Sequence, residues 1–102
     1  MKYLVYMRLL EPEVDNISKM IQIEKQRITN GENWSDEIVF PIHSIGTTGD
    51  SFMVIETSDQ MKLAKYRANY LGVLGIEIHE IMDYGKLRDL YKSKEHNQVV
   101  SV

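Results

Sequence analysis

Residues 40–59 have the sequence FPIHSIGTTGDSFMVIETSD. Two apolar segments flank the turn GTTGD at 46–50, a pattern typical of a β-hairpin. Pro41 lies in the first segment, and because proline donates no ladder hydrogen bond we expect that strand at a sheet edge or at a bulge. Ser58 and Asp59 then offer the capping oxygens that begin helices. The stretch predicts strands over about 38–45 and 51–57 and a helix over about 59–70.

The chain before the hairpin predicts one strand and one helix. In residues 2–10 the odd positions are apolar while the even ones include Lys2 and Arg8, and this alternation predicts a strand with two different faces. The segment Glu11-Pro12-Glu13 favours a helix start, and Asn30-Gly31 favours its end near residue 29. Apolar residues recur between them at helical spacing: Val14, Ile17, Met20, Ile21 and Ile28.

The chain after the hairpin predicts one more strand and a short helix. Helix 59–70 carries two apolar stripes, Met61/Ala64/Ala68/Leu71 and Leu63/Tyr66/Tyr70, and we expect its tyrosines to serve in packing. Gly72 ends this helix, and a strand over about 75–82 follows. Residues 83–94 predict a short amphipathic helix, with Leu87, Leu90 and Tyr91 on one side. We expect one domain over 1–93 and a C-terminal tail over 94–102.

The order β-α-β-β-α-β, followed by the short helix, predicts a ferredoxin-like α+β fold. Right-handed crossovers place the strands in the order 4-1-3-2, with both main helices on one face of the sheet. Strands 2 and 3 are nearly continuously apolar (IVFPI and FMVI), so the other face would be left bare and apolar in a monomer. Such a face usually marks an association surface. We therefore predict a homodimer in which two sheets close face to face into an α/β barrel.

Composition excludes several classes of protein. The chain has 102 residues, which suits one domain, and 12 Lys+Arg against 15 Asp+Glu give a charge of −3, without the basic footprint of a nucleic-acid binder. No cysteine is present, which rules out disulfides, thiolate zinc sites and cysteine nucleophiles. The apolar start MKYLVYMRLL is interrupted by Arg8 and is too short for a membrane span. We expect a cytoplasmic protein with no nucleic-acid or membrane partner.

The hairpin and the fourth strand also resemble a known family. The segment FPIHSIGTTGDSFMVIETSD, a helix and then GIEIHEIMDYG are similar to the dimeric α/β-barrel superfamily, and especially to a subgroup of small proteins of unknown function. The matching positions are Phe40, His43, Gly46, Gly49, Phe52, Glu56, Asp59 and Glu77. Ile42 stands where that subgroup often has tryptophan, so the resemblance implies the fold without a shared ligand.

A candidate site follows from the faces of the strands. If the odd positions of strand 1 face the helices, Tyr6 and Arg8 face the space between the two sheets, together with Glu77 and His79 of strand 4. A register that pairs Arg8 with Glu77 also pairs Tyr6 with His79. The predicted site is a cavity lined by these four residues and by His43, which alternation groups with Val39, Pro41 and Ile45 on one side of strand 2.

Each of these residues has a functional and a structural interpretation. As catalytic residues, His43 and His79 would transfer protons, while Tyr6, Arg8 and Glu77 would bind the ligand. As structural residues, Arg8 and Glu77 would form an ion pair, and His43 would be a hydrogen-bonded interface residue. His43, His79 and Glu77 are suitable metal ligands but lack a compact spacing, so we expect neither a metal nor a cofactor. Trp34, the single tryptophan, is expected to plug one end of the barrel.

Two functions from different classes remain open. The first is a small enzyme with a pocket between the sheets and His43 as general acid and base. The resemblance implies candidate reactions for it: oxygenation of an electron-rich aromatic compound, or isomerisation or dehydration of a small carbonyl compound. The second is a non-catalytic binding or assembly module whose apolar sheet face exists to form the dimer. The apolar face favours the second interpretation, and the ionisable residues favour the first.

Overall fold

A computed structural model describes residues 1–47 and 49–101, the last seven of them as backbone only. The elements are β1 (Lys2–Leu9), α1 (Glu13–Thr29), β2 (Ile38–Ser44), β3 (Asp50–Glu56), α2 (Gln60–Asn69), β4 (Leu74–Ile81) and α3 (Tyr84–Ser101). The predicted α+β class and the order of the first six elements are confirmed.

The four strands form one antiparallel sheet in the order β2-β3-β1-β4, which is 4-1-3-2 when counted from the opposite edge. β2 lies at an edge, as Pro41 predicts, and its pairing with β3 shifts register twice, between Ile38 and Phe40 and between Phe40 and His43. Gly46 and Gly49 lie in the β2–β3 turn with φ of 57° and 81°, a left-handed conformation that glycine adopts without strain. The bulged edge strand and this turn fix where His43 lies.

The core lies between the sheet and α2, on the face predicted from β1. Tyr3, Val5 and Met7 are buried there, next to Met53 and Ile55 of β3. From α2 and the segment before β2, the buried side chains are Leu63, Tyr66, Tyr70 and Trp34. Because only the odd positions of β1 are buried, the alternation of apolar and polar residues determined which face the helices cover.

α2 begins as predicted and buries one of its two apolar stripes. The carboxylate of Asp59 accepts a hydrogen bond from the Lys62 backbone N–H at 3.1 Å, which satisfies a donor of the first turn. The stripe with Leu63 and Tyr66 is buried, whereas Met61 and Leu71 on the other stripe are exposed. The core therefore uses the aromatic side of α2, in agreement with the predicted packing role of its tyrosines.

α1 does not bury the apolar stripe that its spacing predicts. Val14, Ile17, Ile21 and Ile28 are all exposed. The side chains turned to the core are those of Asn16, Ile23 and Arg27, together with Met20, the one residue of the predicted stripe that packs against the core. Asn16 and Arg27 are buried. The physical reason is the pair of hydrogen bonds that Asn16 Nδ2 donates to the carbonyls of Leu10 and Gly72, at 2.8 and 3.5 Å, which set the rotation of α1 about its own axis.

α3 is longer than the short helix predicted over 83–94. It begins at Tyr84, where Asp83 accepts a hydrogen bond from the Gly85 backbone N–H at 2.8 Å, and its backbone continues to Ser101 through residues expected as a tail. Leu87 is half-buried, while Leu90 and Tyr91 are exposed. Within the described ranges, no helix combines the length and apolar character needed to cross a bilayer.

Candidate functional site

The predicted site residues lie on the sheet face opposite the helices, which we call the open face. Leu4, Tyr6 and Arg8 of β1 lie there with Phe52 and Val54 of β3, because these residues alternate with the buried positions of both strands. The open face is completed by residues paired with them on the outer strands: Phe40 and His43 on β2, and Glu77 and His79 on β4. All five residues predicted to form the site therefore share one face.

The predicted register between β1 and β4 is wrong by two residues. Tyr6 pairs with Glu77, Leu4 with His79 and Arg8 with Gly75, so neither the Arg8–Glu77 pair nor the Tyr6–His79 pair forms. The reason lies on the buried face, where Val5 pairs with Ile78 and Met7 with Ile76. The predicted register would have placed Glu80 opposite the fully buried Val5. Apolar pairing in the core outweighs the two polar pairs, since each of those is worth only about 0.2–1 kcal/mol.

Tyr6 is held near the centre of the open face. Its hydroxyl donates a hydrogen bond to the Asp50 carboxylate, at the start of β3. This bond, followed by partial burial and the negative charge of Asp50, raises the pKa of the Tyr6 phenol above its ordinary value. Tyr6 is therefore neutral at physiological pH and can accept a further hydrogen bond through its oxygen.

His43 joins an aromatic group on the open face. Strict alternation would separate Phe40 from His43, but the two register shifts in β2 bring them to the same side, where their rings stack with centroids 4.5 Å apart. Phe52 continues the stack, 5.6 Å from Phe40. The predicted grouping of His43 with Val39, Pro41 and Ile45 assumed regular alternation along β2 and did not include these register shifts.

The hydrogen bond of His43 fixes its tautomer. His43 Nδ1 lies 2.8 Å from the Pro41 carbonyl oxygen, which can only accept, so Nδ1 carries the proton. In the neutral imidazole, Nε2 is then left as an unprotonated base.

Glu77 and His79 interact with each other on the open face. His79 Nε2 lies 3.3 Å from the Glu77 carboxylate, on the same side of β4. Both side chains are more than half exposed, at 60% and 67%, so the pair contributes little to stability.

The five predicted residues do not converge in one chain. Tyr6, Arg8 and Glu77 line a cleft of about 300 Å³ near the start of β4, and neither His43 nor His79 reaches it. His43 and His79 lie on the two outer strands, which are three strand spacings or about 14 Å apart, and they are also offset by two residues along the strands. In the part of the chain that the structure describes, no three His, Asp or Glu side chains are placed to hold a metal ion.

A second candidate site lies on the helix side and was missed in the sequence. A cavity of about 550 Å³ lies between α1, β2 and the sheet, and we call it the α1 cavity. Arg27, Trp34, Tyr66 and Tyr70 line it, and all four are buried. Trp34 was expected to plug a barrel end, and it packs edge-on against Tyr66 with centroids 5.4 Å apart. The available signal was the spacing of Arg27 with Asn16, Met20 and Ile23 on one helix stripe.

A lysine–carboxylate pair closes the outer side of Trp34. Lys62 Nζ lies 4.7 Å over the indole ring and pairs with the Glu37 carboxylate. The hydrogen bond from Lys62 lowers the pKa of Glu37 below its ordinary value of 4.5, against a smaller opposing effect of burial. A second pair, Lys65 with Glu32 at 2.9 Å, lowers the pKa of Glu32 in the same way.

Replacing Glu37 with glutamine is expected to reduce the acid sensitivity of the fold. Because the folded-state pKa of Glu37 is lowered, its contribution to stability is present above about pH 4.5 and is lost as the pH falls through the folded value. The variant should therefore be less stable than wild type at neutral pH, and the difference should be smaller at about pH 3. Urea unfolding at both pH values measures this. Glu56→Gln, at an exposed carboxylate, is the control and should show no such pH dependence; equal pH profiles for E37Q and wild type would contradict the prediction.

Comparison with known proteins adds no functional assignment. No family model, curated protein or solved structure matches the chain. The function therefore has to be argued from the open face and the α1 cavity.

Proposed function

We propose that the protein acts as a homodimer in which two open faces stack and bind a small organic molecule between them. The observation that supports this most is the apolar character of the open face. Phe40 is 41% exposed, and Phe52, Leu4 and Val54 are half-buried beside it, while the helix-side residues of the sheet form the core. Exposed contiguous apolar surface usually marks association, and a two-fold contact would cover the same patch on both copies.

The ionisable groups of the open face suit proton transfer to or from such a ligand. Nε2 of neutral His43 is a base beside the apolar stack of Phe40 and Phe52. His79 and Glu77 form a second acid–base pair, and Tyr6 adds a neutral phenol. Histidine changes its charge near neutral pH, so it can act as both acid and base there. The ligand class that fits this site is a phenol or a small carbonyl compound. For a carbonyl compound the reaction would be an isomerisation, in which a base removes a proton from the carbon next to the carbonyl group and an acid returns a proton at another position.

A non-catalytic assembly module is the second candidate function, and the stacking of His43 favours it. A histidine that packs at 4.5 Å against Phe40 and bonds to its own strand has the environment of an interface residue. The two functions differ in what the His43→Ala variant changes. Loss of a ligand response with an intact dimer supports the site, whereas a weakened dimer supports the module.

The dimer is tested by placing a charge on the open face. Val54→Asp lies in the middle of this face, and Val14→Asp is the matched control on α1, where the side chain is 80% exposed. We expect sedimentation velocity to give twice the chain mass of 11.9 kDa for wild type and V14D, and the single mass for V54D. Circular dichroism checks that V54D is folded. Wild type sedimenting at 11.9 kDa at micromolar concentration would overturn the dimer without reference to any variant.

The ligand is tested by thermal unfolding in the presence of small phenols and ketones. A compound that binds the folded dimer raises its melting temperature through linkage. We expect at least one compound to raise the melting temperature of wild type, and His43→Ala to lose that increase. His96→Ala is the control substitution, at a histidine outside strands β1–β4. A panel with no stabilising compound would rule out the small-molecule site and leave the assembly module.

A further inference from the structure

Arg27 brings a buried positive charge to the α1 cavity, and no carboxylate pairs with it directly among the described residues. Its charge helps to lower the pKa of Glu32, whose carboxylate is paired with Lys65 instead. The side chain of Arg27 is only 9% exposed, and among the described residues no carboxylate lies within 4.0 Å of its guanidinium. One of its five N–H groups donates to the Tyr70 hydroxyl at 3.2 Å. The guanidinium also lies 4.4 Å from the centre of the Tyr66 ring and 5.6 Å from that of Tyr70. These rings compensate only in part for removing a charge from water.

Trp34 adds a second unsatisfied donor to the same cavity. The residue is 5% exposed, and its Nε1–H is buried with no hydrogen-bond acceptor among the described residues. Buried donors without a partner are rare in folded proteins, and each costs about 1–3 kcal/mol. Trp34 packs on Tyr66, and Tyr66 in turn packs on the Arg27 guanidinium. Both residues therefore contact the same tyrosine, and an acceptor that is missing from the chain would bind the remaining N–H groups of the Arg27 guanidinium beside them.

The remaining lining residues indicate which kind of molecule would carry this acceptor. The cavity volume of about 550 Å³ lies in the range of small-ligand pockets. Most of the remaining wall is hydrocarbon and thioether, from Met7, Met20, Met53, Ile42 and Leu74, and its neutral polar groups are the side chains of Asn33, Ser35, Ser44 and Ser51. A strongly hydrated dianion such as phosphate is poorly suited to such walls. A singly charged carboxylate on an apolar body suits both parts, because carboxylate oxygens match the planar guanidinium and the apolar body matches the walls.

We propose that the α1 cavity binds a small monocarboxylate with an aromatic or aliphatic body, its carboxylate on Arg27 and its body beside Trp34. This site lies on the opposite side of the sheet from the open face, so it does not depend on the proposed dimer. Glu24 also lines the cavity, as an exposed carboxylate on α1 that would compete with the ligand for Arg27.

The single tryptophan makes the test direct, since the chain gives one indole N–H signal in a nitrogen–proton NMR spectrum. We expect titration with benzoate or hexanoate to shift this signal saturably. Benzyl alcohol and hexanol, which keep the body and lack the charge, should shift it at least about tenfold more weakly, as should inorganic phosphate. An indole signal unmoved by both carboxylates, or moved equally by the two alcohols, would overturn the proposal without any variant.

Two matched arginine variants test whether the guanidinium of Arg27 binds the carboxylate of the ligand. Arg27→Met removes the guanidinium and keeps an apolar side chain of similar length, and we expect it to weaken benzoate binding at least about tenfold. Arg67→Met, at an exposed arginine of α2 that does not line the cavity, should bind as wild type does. Glu24→Gln should bind as tightly or more tightly, because it removes the competing carboxylate. Equal affinity of R27M and wild type would overturn the role of Arg27. If R27M does not fold, Arg27→Lys tests the same role, because lysine keeps the charge without the planar guanidinium and should still weaken benzoate binding.

Discussion

Replacing Ile55 with alanine is expected to lower the free energy of unfolding by about 2–5 kcal/mol. Ile55 has no exposed surface and lies on the inner strand β3, paired with Tyr3 of β1 and Ile38 of β2. Its side chain points into the core between the sheet and α2, where neighbours on two strands hold the backbone in place. The substitution therefore leaves a cavity that the surroundings can only partly fill. Urea unfolding followed by circular dichroism measures the shift in midpoint, and we expect the slope to remain unchanged.

Ile42→Ala is the matched control for this prediction. It deletes the same atoms from a residue of the edge strand β2 that is 58% exposed, so the expected loss is below about 1 kcal/mol. A similar loss at both positions would mean that burial does not distinguish them. A loss of less than about 1 kcal/mol at Ile55 would contradict the assignment of the core to the odd-numbered face of β3.

Alternation in β1 correctly predicted which residues lie on each face of the sheet. The predicted register between β1 and β4 was wrong. A period of two residues determines which side chains share a face, and a shift of two residues leaves every face unchanged. Tyr6 and Glu77 could therefore be placed together on the open face without knowing that they are direct neighbours. The register is decided by the core pairs Val5–Ile78 and Met7–Ile76. These pairs cannot be inferred from the polar residues of the open face.

The position of His43 depends on a departure from regular structure. Pro41 correctly predicted an edge strand or a bulge, but the side to which the following residues point depends on how many residues the irregularity adds. That number is set by the pairing of Phe40 with Val54 and of His43 with Phe52, which involves a second strand. A single strand's sequence cannot contain this information.

The burial of Arg27 and Asn16 cannot be predicted from the spacing of the apolar residues of α1. The exposed stripe of Val14, Ile17 and Ile21 has good helical spacing, yet the buried stripe contains the two polar side chains. A polar residue is buried where partners exist for it, and those partners come from other elements: carbonyls of Leu10 and Gly72 for Asn16, and aromatic rings of α2 for Arg27. Burial of polar groups is thus a tertiary property, which helical periodicity does not report.

This difference matters for function because the two candidate sites depend on different features of the structure. The open face was predicted from alternation, and completing its site requires a second copy of the chain. The α1 cavity depends on the rotation of α1, and it holds its unsatisfied donors, Arg27 and Trp34, within one chain. Whatever fixes the rotation of α1 therefore controls the second site. Asn16 is the residue that does so through hydrogen bonds at 2.8 and 3.5 Å.

Replacing Asn16 with aspartate is expected to destabilise the fold by about 3–5 kcal/mol at neutral pH and by much less near pH 4. Asn16 is 2% exposed, and its amide group donates to two carbonyl oxygens. An ionised carboxylate at this position would face those oxygens without a donor, so burial and repulsion raise its pKa in the folded state above about 3.9, the value in the unfolded chain. A protonated carboxyl can still donate one hydrogen bond to Leu10. Stability relative to wild type is therefore retained below about pH 4 and lost as the pH rises through the raised folded value.

Urea unfolding of wild type and N16D near pH 4 and pH 7.5 measures this difference, and subtracting wild type at each pH removes the titration of all other groups. Asn33→Asp is the control, because exposed Asn33 uses its side-chain oxygen as an acceptor from the Ser35 N–H and hydroxyl, and aspartate keeps that oxygen. It should show no pH-dependent loss. If N16D matched wild type within about 1 kcal/mol at both pH values, Asn16 would not be buried against the two carbonyls. The rotation of α1 and the α1 cavity would then have to be abandoned together.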